Sequence, residues 1–220
     1  SKSLQETKQI GTRALVVVPT RELARQIHKH FKDLAKYTHI TAGVLTGGEE
    51  FKYQKAMLRK NPELIIATPG RALEHLQRNN IDFADVEFLV IDEADRMLDM
   101  GFGEDVLTLA KACSGEHQTL LLSATLKHGA MRDISQTVLN NPHILSVDKV
   151  RQKHQHIIQQ RILADDYEQK KKLLAAVLQQ EAASKALVFC NTKRQVAQLL
   201  GSLRYHGIRC AQIHGDISQD

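Results

Sequence analysis

The sequence predicts an α/β protein whose strands lie parallel in one open sheet. Two observations carry this. Short apolar runs with β-branched residues, Leu15-Val16-Val17-Val18, Leu64-Ile65-Ile66-Ala67 and Phe88-Leu89-Val90-Ile91, read as strands buried on both faces, as in a parallel sheet covered by helices. Each run passes at once into a loop of small, hydroxylated, glycine or charged residues and then into a segment of helical periodicity, the order expected of βαβ units.

In chain order, Pro19-Thr20 stops the first run, and Thr20 is placed to cap a helix with the apolar stripe Leu23, Ile27, Phe31, Leu34. The other side of that helix carries Arg21, Arg25, Lys29, Lys32 and Lys36. That row is a solvated face except for Arg21, which falls in the first turn at the sheet edge. Val44-Leu45-Thr46 leads into Gly47-Gly48, Ala67 into Thr68-Pro69-Gly70-Arg71, and Thr119-Leu120-Leu121-Leu122 into Ser123-Ala124-Thr125. Singly, each loop has a plain explanation: a double glycine turns the chain, Pro69 opens a helix, and Ser123 or Thr125 caps one. With the loops after Val18 and Ile91, five polar loops share one edge. Small residues and backbone amides suit close approach to phosphates, and Arg21 and Arg71 add positive forks.

Phe88-Leu89-Val90-Ile91 ends in Asp92-Glu93-Ala94-Asp95. Ligands of open α/β sheets sit off the carboxyl ends of the strands, so Asp92 and Glu93 are expected to reach that crevice. A carboxylate there can hold Mg²⁺ that bridges nucleotide phosphates, and its neighbour can orient or deprotonate a water. The competing reading is that the acids simply begin a helix, where they favour the positive end of its dipole.

After Asn140-Asn141-Pro142 comes a short apolar run, and then a polar stretch read as a linker over 148–156. This sets a first domain at 1–147 and a second at 157–220. The second is expected to alternate strand (157–163), helix (168–180), strand (186–190), helix (193–206) and strand (209–213), with too few strands to close a core.

The 220 residues allow one large core, or a domain and part of another. No apolar run approaches a membrane span and the polar start has no signal-peptide core, so a cytoplasmic or nuclear location without membrane partners is expected. Cys113, Cys190 and Cys210 lie far apart, and reduced, buried thiols are expected rather than disulfides or zinc. His154 and His156 sit in a polar stretch that suits a solvated loop better than a metal site. The net charge of +5 is uneven: residues 1–150 hold 19 Lys+Arg against 19 Asp+Glu, and residues 151–220 hold 11 against 6. A basic segment joined to a neutral one suggests a polyanionic partner.

Seven stretches, in order, carry a resemblance: Pro19-Thr20-Arg21-Glu22-Leu23-Ala24, Gly47-Gly48, Thr68-Pro69-Gly70-Arg71, Asp92-Glu93-Ala94-Asp95, Ser123-Ala124-Thr125, Val188-Phe189-Cys190-Asn191-Thr192-Lys193 and His214-Gly215-Asp216. Together they resemble the DEAD-box family of ATP-dependent RNA helicases. Arg96-Met97-Leu98-Asp99-Met100-Gly101-Phe102 continues as that family does. The resemblance implies RecA-like domains, ATP and Mg²⁺ as cofactors, RNA as partner and a protein adaptor as a further possible partner. It implies that Asp92 acts on Mg²⁺, that Glu93 positions the hydrolytic water, and that Asp95 hydrogen-bonds Ser123 or Thr125 to couple the sites. It also implies that Thr20, Arg21, Gly48, Thr68 and Arg71 grip the RNA backbone, with Thr192 and Gly215 doing so on the second domain. Backbone gripping carries no base information, so little sequence preference is expected; the few aromatics, 5% with no Trp, agree.

The family's Gly-Lys-Thr phosphate loop, its adenine-reading glutamine motif and the arginine motifs of its second domain are not in this sequence. The chain is therefore expected to be a fragment of a longer helicase, inactive alone as an ATPase. An ATP-independent RNA-binding scaffold is the rival from another class. A metal-dependent phosphohydrolase using Asp92 and Glu93 would need more carboxylates at the same edge.

Overall fold

The computed structural model describes residues 11–125, 129–146, 157–180 and 185–217. The chain divides into two compact units between Leu145 and Ser146. In the first unit β1 (Ala14–Val17), α1 (Arg21–Leu34), β2 (Ala42–Leu45), α2 (Phe51–Leu58), β3 (Leu64–Ala67), α3 (Pro69–Gln77) and β4 (Phe88–Ile91) alternate. They are followed by α4 (Ala94–Asp99), α5 (Gly103–Ala112), β5 (Gln118–Leu121) and α6 (Gly129–Val138). The strands form one sheet in the order β2-β3-β1-β4-β5, every pair parallel.

Crossover handedness explains how the helices divide between the two faces. The connection from β1 to β2 steps past β3 in one direction, and every later connection steps the other way. Right-handed crossovers then place α1 alone on one face and the helices after β2, β3 and β4 on the other. Burial agrees. Leu15, Val17, Leu45, Ile65, Ala67, Leu89 and Ile91 share a core with Leu58, Ala72, Met97, Val106, Leu109 and Met131. The alternate residues Ala14, Val18, Leu64 and Ile66 pack with Leu23, Ala24, Ile27 and Phe31 of α1. α2 lies close to the sheet at Gly43, where a Cβ would strike the Met57 thioether. At the opposite ends of the strands Arg13 joins β1 to β4, its Nε and Nη2 donating to the two carboxylate oxygens of Glu87 at 2.9 and 2.7 Å.

Three expectations are overturned. Leu34, expected on the apolar stripe of α1, is 82% exposed: a helix of 14 residues is roughly 21 Å long, whereas four-residue strands span roughly 13 Å, so its last turn overhangs the sheet. The Phe88–Ile91 strand is fully buried on only one face, Leu89 and Ile91 at 1% exposure each. α1 covers β2 and β3, and no described helix covers the same face of β4 and β5, where Leu120 and Leu122 are 40% and 47% exposed.

The third correction concerns the second unit. Its helices form where expected, α7 (Tyr167–Gln180) and α8 (Lys193–Tyr205), but the expected strands at 157–163, 186–190 and 209–213 join no ladder. Parallel strands need covered neighbours on both faces. The cluster here is Ala175, Leu199 and Leu203 with Leu174, Leu178, Cys190, Ile208 and Cys210, too small to bury three strands. Cys190 and Cys210 are accordingly half-buried, unlike Cys113. The expected linker, 148–156, lies outside the described residues.

Candidate functional site

The registered ladder sets where each loop begins. Leu45, Ala67, Val17, Ile91 and Leu121 form one row across the sheet, roughly 19 Å long at about 4.8 Å per strand. The ladder continues for one more peptide. Thr68 N–H donates to Leu45 O, Val18 N–H to Ala67 O, Asp92 N–H to Val17 O and Leu122 N–H to Ile91 O, all at 2.8–3.0 Å. The loops therefore start from rigid backbone. Because only β1 sends its helix to the other face, crevices open on both sides of its carboxyl end, toward β4 and toward β3.

On the β4 side the chain turns into α4 through Glu93, at φ 50° and ψ 47°, a left-handed conformation uncommon outside glycine. The Glu93 N–H donates to Asp92 Oδ1 at 2.9 Å, and the Ala94 N–H donates to Leu122 O at 3.0 Å. An open cleft of about 580 Å³ follows, lined by Asp92, Glu93, Asp95, Arg96 and Ser123 among others. Glu93 pairs with Arg96 at 3.2 Å, with both side chains well exposed, so this pair stabilises little. Asp95 Oδ2 accepts both the N–H and the hydroxyl of Thr125, at 3.0 and 2.8 Å. Ser123 Oγ accepts the Thr125 N–H at 3.1 Å and donates to Thr125 O at 3.0 Å. Burial pushes the Asp95 carboxyl up, but the hydrogen bonds from Thr125 and from the Arg96 N–H outweigh it and leave its pKa lowered.

The same cleft bears on Mg²⁺. No cluster of three or more metal-ligating side chains occurs among the described residues. An ion carried by phosphates needs only one or two carboxylates, with water filling the rest of its octahedron. Asp92 and Glu93, adjacent at the cleft wall, fit that requirement.

On the β3 side Thr20 caps α1, its Oγ1 accepting the Leu23 N–H at 3.2 Å. Arg21 is exposed, and its guanidinium lies against Gly48, where a Cβ would collide with Nη1. Gly48 also has φ +79°, so glycine is required there twice over. Thr68 is half-exposed and makes no side-chain cap bond. Arg71 is held: Nη1 donates to Glu49 O at 3.0 Å and Gln54 Oε1 at 2.8 Å, and Nε pairs with Glu74 at 3.0 Å. In the second unit Thr192 caps α8 through Gln195 N–H. Lys193 Nζ meets Asp216 at 2.5 Å, which brings the Thr192 and Gly215 loops together.

This arrangement has close relatives. The DEAD/DEAH box helicase family matches over residues 2–134. The chain belongs to that family. A helicase conserved C-terminal domain matches over residues 169–220. Among similar helicases, Escherichia coli "ATP-dependent RNA helicase SrmB" is 37% identical over 94% of this chain and 47% of its own length. Listeria monocytogenes "ATP-dependent RNA helicase CshA" is 35% identical over 97% and 41%. The chain thus spans less than half the length of these relatives. A solved Sulfolobus tokodaii hypothetical ATP-dependent RNA helicase superposes with TM-score 0.57 at 29% identity, over 87% of this chain and 55% of that one. Saccharomyces cerevisiae Dbp5, solved with Gle1 and IP6, gives TM-score 0.70 at 24% identity, over 96% and 52%, a likeness of fold. The sheet is thus RecA-like. No described helix is long and apolar enough to cross a membrane.

Several residues of this DEAD/DEAH box chain make contacts at the site that the sequence reading does not assign to them. Arg96, next to the Asp-Glu-Ala-Asp stretch, pairs with Glu93. Gln54, 3% exposed, and His75, fully buried, lie behind Arg71. The Phe51 ring stacks on His75 at 4.0 Å, and Arg78 lies 4.5 Å over Phe51. Burial, with the charges of Arg71, Arg78 and Lys55, pushes the His75 pKa down to about 4 against the opposite pull of Glu74. A signal was available: polar residues at the core-facing positions of two helices, i.e. buried polar groups that must be satisfied.

Proposed function

We propose that this protein acts as an ATP-dependent RNA helicase, separating short duplexes or remodelling RNA–protein complexes as two RecA-like domains close on ATP and RNA. One observation carries the reading: a single row of strand ends presents an acidic cleft beside β4 and arginine-bearing loops beside β3. ATP phosphates would suit the first only when they carry a divalent cation, since its carboxylates repel bare phosphate, and an RNA backbone suits the second. Family membership and the names of the relatives support it.

In this reading Glu93 orients the attacking water and takes up its proton. Asp92 would hold nucleotide-borne Mg²⁺, which would supply positive charge against the phosphates. Asp95, fastened to Thr125 and with Ser123 beside it, transmits the state of the cleft to the loop after β5. Thr20, Arg21, Gly48, Thr68 and Arg71 contact the RNA sugar-phosphate backbone, joined by Thr192 and Gly215. Residues 1–147 serve as the first domain, 148–156 as the linker and 157–220 as part of the second, in keeping with the division near Leu145. A cytoplasmic site of action accords with three unbridged cysteines.

The test is RNA-stimulated phosphate release and strand separation by the full-length protein from the encoding gene, with Glu93→Gln beside it. Stimulated turnover that the substitution abolishes is expected. RNA binding with no turnover in the unsubstituted protein would instead establish a scaffold.

A further inference from the structure

Gln54 joins three segments through one buried amide. Its Nε2 donates to Thr46 O at 2.8 Å, in the loop leading to Gly47-Gly48. Its Oε1 accepts Arg71 Nη1 at 2.8 Å and lies 3.1 Å from His75 Nε2. The partners fix the orientation: a carbonyl oxygen only accepts and a guanidinium only donates. His75 Nε2 must then carry the proton that faces Oε1, and Nδ1, buried with no hydrogen-bond partner among the described residues, is the bare nitrogen. Phe51 holds the ring flat from the other side. Arg71 is consequently engaged at Nε and Nη1, with its side chain 16% exposed, and Nη2 has no protein partner among the described residues.

An arginine of this kind costs little to order when a phosphate arrives, because its rotamers are already restricted. We propose that Gln54 is a positioning residue for RNA: its Oε1 holds Arg71 with one guanidinium edge turned toward the phosphate track, and its Nε2 ties that arginine to the Gly47-Gly48 loop. The inference rests on the reading of Arg71 as an RNA contact. It assigns to a buried glutamine, outside the RNA-facing surface, a share of the affinity for RNA.

The experiment measures binding of a labelled single-stranded polyuridine RNA by the full-length protein carrying Gln54→Met, Arg71→Met, or both, with thermal unfolding recorded for each. Gln54→Met keeps length and bulk while removing both hydrogen-bonding atoms. It should weaken binding roughly three- to tenfold, the coupling of residues in contact. In the Arg71→Met background the same change should cost less than about twofold. Gln54→Asn withdraws the acceptor by shortening the side chain while keeping its polarity, and serves if Gln54→Met does not fold. Equal weakening in both Arg71 backgrounds overturns the proposal. So does an effect of Arg71→Met with none from Gln54→Met. If Arg71→Met itself leaves binding unchanged, the RNA reading of Arg71 fails first and takes the positioning role with it.

Discussion

Thr125 places its backbone N–H and its hydroxyl on one oxygen of Asp95, at 3.0 and 2.8 Å. This joins the turn after β4 to the loop after β5 by side-chain chemistry, beside the backbone bond from Ala94 N–H to Leu122 O. Asp95 has a lowered pKa, so the link is complete above the ordinary carboxylate range and is lost as pH falls through the lowered value. Thr125→Val removes the hydroxyl donor and should move the Asp95 pKa upward, as read by carboxyl-carbon NMR titration. In the full-length protein the same change, or Ser123→Ala with Thr125→Ala, should reduce unwinding more than phosphate release. Equal loss of both activities would leave these hydroxyls as helix and loop caps.

Glu93→Gln keeps the shape of the side chain and removes its basic oxygen. Nucleotide binding should be nearly unchanged while turnover falls by on the order of a hundredfold or more. Steady-state phosphate release and nucleotide affinity, measured together, decide it. Arg96→Ala is the control: it removes the 3.2 Å partner of Glu93 and, as an exposed pair, should shift stability by less than about 1 kcal/mol.

Arg21→Gln and Arg71→Gln should each weaken RNA binding about equally for unrelated sequences. Each should reduce the slope of log affinity against log salt by roughly 0.7 for a single strand. A salt titration with two RNAs of different sequence checks both values. A sequence-dependent loss would mean base readout.

Gly48→Ala combines a φ of +79° with a collision against the Arg21 guanidinium. It should destabilise the first unit by roughly 1 kcal/mol and displace Arg21, weakening RNA binding. Gly47→Ala, with open space at its Cβ, should do neither. Denaturant midpoints and RNA affinity separate the two.

His75 is neutral in the fold with its pKa pushed down to about 4. The unfolded chain binds a proton below the ordinary value near 6.5 and the folded chain does not, so stability falls as pH drops from about 6.5 to about 4. The loss at the lower end is on the order of 3 kcal/mol at most. His75→Met should flatten that part of the profile, measured by urea unfolding across the range.

The first unit is largely legible because each of its strands contains a short apolar stretch and is closed by a chemically different loop. Leu64–Ala67 is the clearest case, all four residues buried. Legibility failed where burial depends on what lies across the sheet. Phe88 and Leu120 belong to similar runs, but the helix on their face lies over β2 and β3 and no described helix lies over β4 and β5. In the second unit Val188 and Phe189 have strand-forming composition without a ladder to join, since composition expresses a preference and pairing needs a neighbour. The acidic cleft could be read from Asp92 to Asp95 because those residues are contiguous. Gln54 and His75 can be read as core-facing polar residues, but not as partners of Arg71 and of each other, because an interior hydrogen bond between distant residues leaves no spacing to read.

The parallel register also separates two kinds of change that a gene can accumulate. Every strand enters from the edge opposite the cleft, where return turns pass through Asn61 and Asn79, at φ 50° and 51°. Lengthening such a turn adds a closure entropy that grows only as the logarithm of its length, and the row from Leu45 to Leu121 keeps its spacing. Removing one residue inside a strand instead exchanges its two faces and carries the loop beyond it out of line. Size can therefore drift at one rim of the sheet while the opposite rim stays fixed in outline. A fluorescent protein or purification tag spliced between Asn79 and Phe83 should be carried at no cost to the chemistry at the other end.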